Sequence, residues 1–286
     1  MKSELNCIAC NNQDFKKLFK KNNYDFIKCK NCGLVTLYPF PSEKQLESYY
    51  KSKTISGNYD LTLSIERDRS LKKIINLILS EKKKGNFIDI GCFDGRLLEF
   101  AENAGFTSYG LELQEEAARK AMQKFPNRIH NGVIEKSPNI FPNKKFSVIV
   151  ASGVIEHLRS PEYLIDFVHK RLEKDGLFVI QTPNENSFLR KLMNKYWFAW
   201  TAPEHTFYFS EKSLNTLLKK FNLSIVQKYK DIKFLRIGYI IEQLSTFGSE
   251  IYRLIKPFKN FIPRIIKNKS IPAYGGEMIL LIKRKR

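Results

Sequence analysis

From Asn86 onward, short apolar runs alternate with stretches whose apolar residues recur every three or four positions. The runs are NFIDI, TSYGLEL, NRIHNGV, FSVIVAS and GLFVIQT; between them lie RLLEFAENAG, QEEAARKAMQKF and SPEYLIDFVHKRLEKDG. Continuous apolar runs suit strands buried on both faces, and the periodic stretches suit amphipathic helices. Their alternation predicts an α/β fold, a parallel sheet covered by helices on both sides. The punctuation agrees: Gly105 follows the first helical stretch, while the third opens with Ser160 as cap and Pro161 in its first turn, and stops at Gly176. Upstream, Leu71, Ile74, Ile75, Ile78 and Leu79 share one face of a helix predicted from about Ser64 to Ser80. Before it, Pro39 and Pro41 precede Ser42, a cap for a short helix in a linker.

The first 40 residues follow a different logic. Four of the five cysteines fall as CIAC (Cys7, Cys10) and CKNC (Cys29, Cys32), with 18 residues between the pairs. Two such knuckles at this separation complete a tetrahedral Zn2+ site, and Gly33 suits the turn after the second. Disulfides, which a reducing compartment disfavours, and merely packed thiols are the alternatives. With all four positions held by thiolates no site is left for water, so the metal is expected to be structural. A ribbon of this kind can grip RNA, bind a substrate or stabilise a small unit.

Asp89 ends the first strand of the α/β region, Gly91 and Gly95 shape the loop after it, and Glu112 ends the second strand, 21 residues beyond Gly91. An acidic residue there can bind both hydroxyls of a ribose, so the ligand is expected to be adenosine-like. Phe93 stands where a pyrophosphate-binding loop would place another glycine, and Asp89 would repel phosphate. No G-K-[ST] follows either. A cationic ligand with an ammonium group and no phosphate fits better.

DIGCFDG, then GLEL, then FSVIVASGVIEHLRSP, with LEKDGLFVIQTPN and PEHTFYFS further on, resemble the motifs of the class I S-adenosylmethionine-dependent methyltransferases over roughly residues 85 to 230. Within them the chain is similar to the ubiquinone and polysaccharide-cluster group, many of which begin with a Cys-x-x-Cys pair, then C-x-x-C-G-L and a P-x-P linker. The resemblance implies a Rossmann-like doubly wound sheet with a small N-terminal zinc ribbon. It divides the chain into 1–40, zinc ribbon; 41–84, linker and N-terminal helices; 85–232, the S-adenosyl-L-methionine-binding domain; and 233–286, an amphipathic basic helical segment and final strand. It also implies roles: Asp89 and Gly91 line the methionine moiety, Gly95 opens the helix behind it, Glu112 holds the ribose, Leu113 lies beside the adenine, and Ala151 and Ser152 lie near the sulfonium. Where the family often has an acidic residue near the adenine amine, this chain has Val133.

Methyl transfer is a displacement, helped by a base when the acceptor is a hydroxyl. Of four histidines, His205 in AWTAPEHTFYFS is the first choice for that base. It lies on an aromatic connection with Tyr196, Trp197, Phe198 and Trp200, read either as an acceptor-pocket wall or as ordinary core. His157, in VIEHL, is the second choice, with a structural loop-holding role as its alternative. Some relatives bind a divalent metal in this segment; Glu156 and His157 remain here, but Gly153 replaces one acidic position.

Composition adjusts this picture at one end. The formal net charge is +20, and residues 228 to 286 hold 14 Lys/Arg against 4 Asp/Glu, half of that excess. Between Arg236 and Ile266 apolar residues recur at helical spacing with a cationic edge, broken at Pro257 and Pro263. The segment through 267 is read as peripheral contact with an anionic membrane, or as a lid or dimer helix. No run of 18 apolar residues occurs, and the first residues lack the build of a signal peptide, so a cytoplasmic location is expected, with the inner membrane face as a peripheral option. The functional expectation is methylation of a small molecule or glycan, and the family resemblance implies, most specifically, O-methylation of a sugar in envelope polysaccharide synthesis. RNA methylation using the ribbon, and a non-catalytic zinc-dependent binding protein, are the alternatives.

Overall fold

The computed structural model describes residues 5–52, 61–137, 139–246, 257 and 262–285. Strands β4 (Gly85–Ile90), β5 (Phe106–Glu112), β6 (Ile129–Asn131), β7 (Phe146–Ser152) and β8 (Leu172–Pro183) are parallel. Two long strands, β10 (Leu223–Arg236) and β11 (Ser270–Arg284), join antiparallel at one edge, giving a sheet in the order β10-β11-β8-β7-β4-β5-β6. Chain order reverses at β4, which has β5 on one side and β7 on the other. A crevice therefore opens at the carboxyl ends of these strands, where such sheets bind ligands.

Alternate residues of each strand feed opposite cores, as the pleat requires. Ile88, Ile90 and Ile149 pack on one face with α5 (Pro161–Arg171) and α7 (Glu211–Lys219). Phe87, Val148 and Val150 pack on the other with α3 (Arg96–Asn103) and with Ile74, Ile75 and Ile78 of α2 (Leu61–Leu79). The apolar stripe read from the sequence thus faces the sheet. Ser42 caps α1 (Glu43–Ser52) reciprocally with Gln45, at 3.2 and 2.8 Å.

Two expectations are corrected. The helix expected to run to Gly176 ends at Arg171, because Leu172 is buried opposite Phe146 and begins β8. The ladder then skips to Val148 opposite Leu177, so Glu173, Lys174 and Asp175 form a bulge. Gly176 permits it, since a Cβ there would lie 2.7 Å from Leu172 Cδ1. Second, the segment set apart from residue 233 opens in a strand: residues through Arg236 belong to β10, and α8 (Ile237–Thr246) then begins where the apolar spacing places it. Of the membrane-contact segment 236–267, residues 247–256 and 258–261 lie outside the described residues. Among the described residues no helix is long and apolar enough to cross a membrane.

The cysteine unit is integrated rather than appended. Its strands β1 (Phe15–Lys21), β2 (Tyr24–Cys29) and β3 (Val35–Tyr38) are antiparallel, and β9 (Phe207–Tyr208), from the connection after β8, adds a fourth. Phe26, Val35 and Leu37 meet Trp197, Trp200 and Tyr208 there. Trp197 and Trp200 are therefore interface core rather than a pocket wall, and their indoles donate to Gly275 O (3.1 Å) and Asn194 O (2.8 Å).

Candidate active site and cysteine centre

Cys7 and Cys32 Sγ lie 3.5 Å apart, as do Cys10 and Cys29, and all four fall within 4.8 Å of one another. Four sulfurs at about 2.3 Å from one ion would be spaced by roughly 3.8 Å, so the quartet fits zinc. All five cysteines are free thiols. The hydrogen bond with Cys32 pulls Cys7 down to about 5 while Cys32 rises, the proton-sharing that a dication replaces. The four cysteines can hold zinc, with no open coordination position.

At the sheet's carboxyl edge a cleft of about 720 Å³ is lined by the loop after β4, by the end of β5 and by the loop after β7. Gly91 has φ +81°, and a Cβ on it would lie 2.7 Å from Val154 Cγ2, so only glycine lets the two loops close this far. Phe93, with φ +52°, donates its N–H to Glu112 Oε2 at 2.8 Å, and Gln114 donates to Oε1 at 2.7 Å. Glu112 is thus aimed by two backbone donors. Burial raises its pKa, which those N–H groups oppose. The Phe93 ring forms part of the cleft wall, with the Arg67 guanidinium 4.9 Å from its centroid.

Asp89 is 4% exposed, and its Oδ1 is buried with no hydrogen-bond partner among the described residues. Burial, then the nearby Glu112, pushes its pKa well above the usual range, with Arg67 pulling the other way. A buried carboxylate oxygen of this kind calls for a donor. Asp89 does not itself line the cleft, but its neighbours Ile90 and Gly91 do, and an ammonium group reaching this oxygen past Gly91 would supply one.

The cleft brings together Gly91, Glu112, Leu113, Val133 and His157. Other residues singled out from the sequence stand elsewhere. Gly95 (φ +81°) precedes α3 as a backbone device against Phe125. Ala151 is fully buried in the core and lines neither the cleft nor the cavity next to it. Ser152 lines a neighbouring cavity and donates to Gln181 Oε1 at 2.7 Å. His205 stands beside His157, ring centroids 4.6 Å apart, and does not border the cleft. Each ring has Nδ1 3.1 Å from a carbonyl, Glu204 O for His157 and Ala199 O for His205. Carbonyls only accept, so both Nδ1 atoms are protonated and Nε2 carries the lone pair.

The sequence reading missed a clamp over the loop. Arg67 of α2 pairs with Asp94 (2.8 and 3.3 Å), and Arg96 pairs with Asp68 (2.6 and 2.9 Å). The charged run ERDR in α2, beside the D-G-R of the loop, was the available signal. Glu156 and His157, which remain of the metal-binding segment of some relatives, are joined by His205, a partner the sequence did not point to; the three place ligand atoms within 4.8 Å of one another and can hold a divalent ion. Glu156 is 3% exposed, accepts from Thr182 Oγ1 at 2.9 Å and is raised by burial to about 7.

A family model described as a methyltransferase domain matches residues 64–228, more than half of the chain. A protein described as an uncharacterized methyltransferase from Alkaliphilus oremlandii is 27% identical over 156 residues, 53% of this chain and 71% of that protein. Among solved structures, a SAM-dependent methyltransferase from Archaeoglobus fulgidus superposes with TM-score 0.52 at 20% identity, covering 77% of this chain and 94% of that one. Magnesium protoporphyrin IX methyltransferase from Synechocystis, with bound SAH, gives 0.50 at 12% identity over 78% and 86%. At these identities the structures speak for the fold alone, and the family rests on the matched domain. The chain belongs to the methyltransferase-domain family.

Proposed function

We propose that the protein methylates a hydroxyl of a small molecule or glycan, most specifically a sugar of an envelope polysaccharide. The observation that carries this reading is the second cavity, about 340 Å³, which meets the first at consecutive residues: Gly153 lines the cleft and Ser152 the cavity. Its size is near the lower end for small-ligand pockets, about 300 Å³. Gly91 in the cleft and Asp89, buried behind it, would hold the methionine end of S-adenosylmethionine, with Glu112 at its ribose and Leu113 and Val133 at its adenine. When bound, the cofactor supplies an electrophilic methyl group. The chain's own work is then alignment and proton removal.

For the proton, we take His157 ahead of His205, a choice supported by His157 bordering the cleft. Its Nδ1–H is held by Glu204 O, so Nε2 is the accepting atom. His205 would act through it as a positioning residue. His157→Ala is expected to lower kcat by about 100-fold with little change in S-adenosylhomocysteine affinity. His205→Ala is expected to cost about tenfold. Steady-state kinetics with calorimetry checks both; loss of cofactor affinity without loss of kcat would assign His157 to binding instead.

The acceptor class is tested with cofactor carrying a labelled methyl group, incubated with the protein and extract of its source cells and then fractionated. Label is expected in a glycan or small-molecule fraction. Label confined to RNA would replace this reading with RNA methylation.

A further inference from the structure

The second cavity lies where β10 and β11 run on past the carboxyl ends of β7 and β8. Asp231 pairs with Glu277 across the two strands, and the register then jumps to Ile232 opposite Tyr274, leaving Gly275 and Gly276 as a bulge. Gly276 has φ +86°, and a Cβ there would lie 2.6 Å from Ser187 Oγ, so the arm bends where only glycine fits. The bend sets Asp231 and Lys233 in the cavity wall opposite Ser152 and Gln181, with Glu66 of α2 closing it.

The polar groups of this wall form one connected set. Ser152 Oγ donates to Gln181 Oε1 (2.7 Å), and Gln181 Nε2 donates to Glu277 Oε2 (2.7 Å) and Asp231 Oδ2 (3.3 Å). Lys73 binds Asp231 Oδ1 at 3.1 Å, and Lys233 pairs with Glu277. Asp231 is 3% exposed and Gln181 8%. Glu66, 7% exposed, accepts from Ser270 Oγ (2.7 Å) and Arg236 Nε (3.2 Å) on Oε1, while its buried Oε2 has no partner among the described residues. Apolar surface completes the lining, with Phe234 and Tyr239 on the arm side.

We propose that this cavity is the acceptor subsite and that it takes an uncharged polyhydroxyl ring, recognised by the Ser152–Gln181–Asp231 set and by the open oxygen of Glu66. This rests on the sugar-acceptor reading above and goes further by naming the atoms that recognise it. Each charge in the wall already has an opposite partner: Lys73 for Asp231, Lys233 for Glu277, Arg236 for Glu66, Asp94 for Arg67. A phosphate would have to break one of these pairs to reach a cation, and a lone ammonium would use only the open Glu66 oxygen, whereas hydroxyls can both donate to carboxylate oxygens and accept from the amide. A ring with an apolar face and polar edges also matches the mixed lining. The hydroxyl to be methylated then lies at the Ser152–Gly153 junction. Its oxygen bonds to the methyl carbon as the carbon–sulfur bond breaks, the bonding pair stays on sulfur, and the hydroxyl proton leaves to the base.

The probes are glucose, mannose and galactose, with inorganic phosphate and ethanolamine as charged controls. Binding is read by ligand-observed NMR, saturation transfer for the organic probes and phosphorus line broadening for phosphate, with and without S-adenosylhomocysteine. The proteins are wild type, Gln181→Leu, and Ser70→Trp, whose new side chain starts at a half-buried helix position bordering the cavity. At least one hexose is expected to bind the wild type and to bind both variants about tenfold more weakly, while S-adenosylhomocysteine affinity and melting temperature hold. No hexose binding, hexose binding equal in all three proteins, or cavity-dependent binding of phosphate or ethanolamine instead would overturn the proposal. Failure of S-adenosylhomocysteine to bind the wild type is a separate result and would count against the cofactor site.

Discussion

Stripping the cysteine centre with a strong chelator is expected to unfold the first 40 residues and to shift the emission of both tryptophans to longer wavelength together. Zinc held by four thiolates contributes apparent binding energies of about 10–16 kcal/mol in small metal units, and a three-stranded unit of this size has little core of its own to replace it. The coupling to fluorescence follows from the fold. The chain has only two tryptophans, Trp197 and Trp200, and both are buried among Phe26, Val35 and Leu37 of the ribbon. Release of the ribbon removes the partners of β9 and exposes both indoles. One core of the seven-stranded sheet is separate from the ribbon, and the other shares with it, among buried residues, only Cys7, Ala9, Cys29, Cys32 and Leu34, so most far-ultraviolet circular dichroism should persist. Cys29→Ser is expected to reproduce the shift without chelator. Unchanged emission after verified metal removal would mean that the ribbon's packing, rather than its metal, holds it.

Asp89→Asn is expected to move stability and binding in opposite directions. In the wild type the Asp89 carboxyl pays for burial, with one oxygen unpartnered and Glu112 nearby, and its pKa is raised. A carboxyl whose folded pKa exceeds its unfolded value binds more protons folded than unfolded in the window between the two. Stability therefore falls as pH rises from the unfolded value, near 4, through the folded one. The amide removes that penalty, so the variant should melt higher at neutral pH, by on the order of 2 kcal/mol, and depend less on pH. Cofactor affinity should drop about tenfold or more, because the acceptor for the ammonium has lost its charge. Thermal melts at two pH values, with calorimetric titration, read both effects. A variant less stable than wild type, or one that binds the cofactor equally well, would remove Asp89 from the proposed site. A stability gain coupled to a binding loss is the usual mark of a residue kept for function.

How much of this was legible beforehand depended on how local each feature is. The parallel strands showed as apolar runs because both faces of the sheet are covered. Asp89, Gly91 and Glu112 showed because a strand, its loop and the next strand's end lie close in sequence. β10 did not, since SIVQKYKDIKF is an edge strand with charged residues on its open side. The LEKDG stretch imitated a helix end because its charges sit in a bulge. β9 is two residues long and exists only because β3 is there to pair with it. For the same reason the aromatic run from Tyr196 to Trp200 could be read as pocket or core until the ribbon was placed against it. His157 and His205 meet through a connection of almost fifty residues, and the Ser152–Gln181–Asp231 set draws on three strands. No spacing rule reaches that far, whereas the fold brings each of them together.

The cofactor cleft is the claim on which the rest depends, and Glu112 is the residue that tests it most directly. Its two oxygens are aimed by Phe93 and Gln114 N–H groups, and each retains a lone pair for a ribose hydroxyl. In calorimetric titration, S-adenosylhomocysteine is expected to bind the wild type at one site per chain. It should bind Glu112→Ala about 100-fold more weakly, the loss of two hydrogen bonds to a charged group. No binding to the wild type, or equal affinity in the two proteins, would contradict the account.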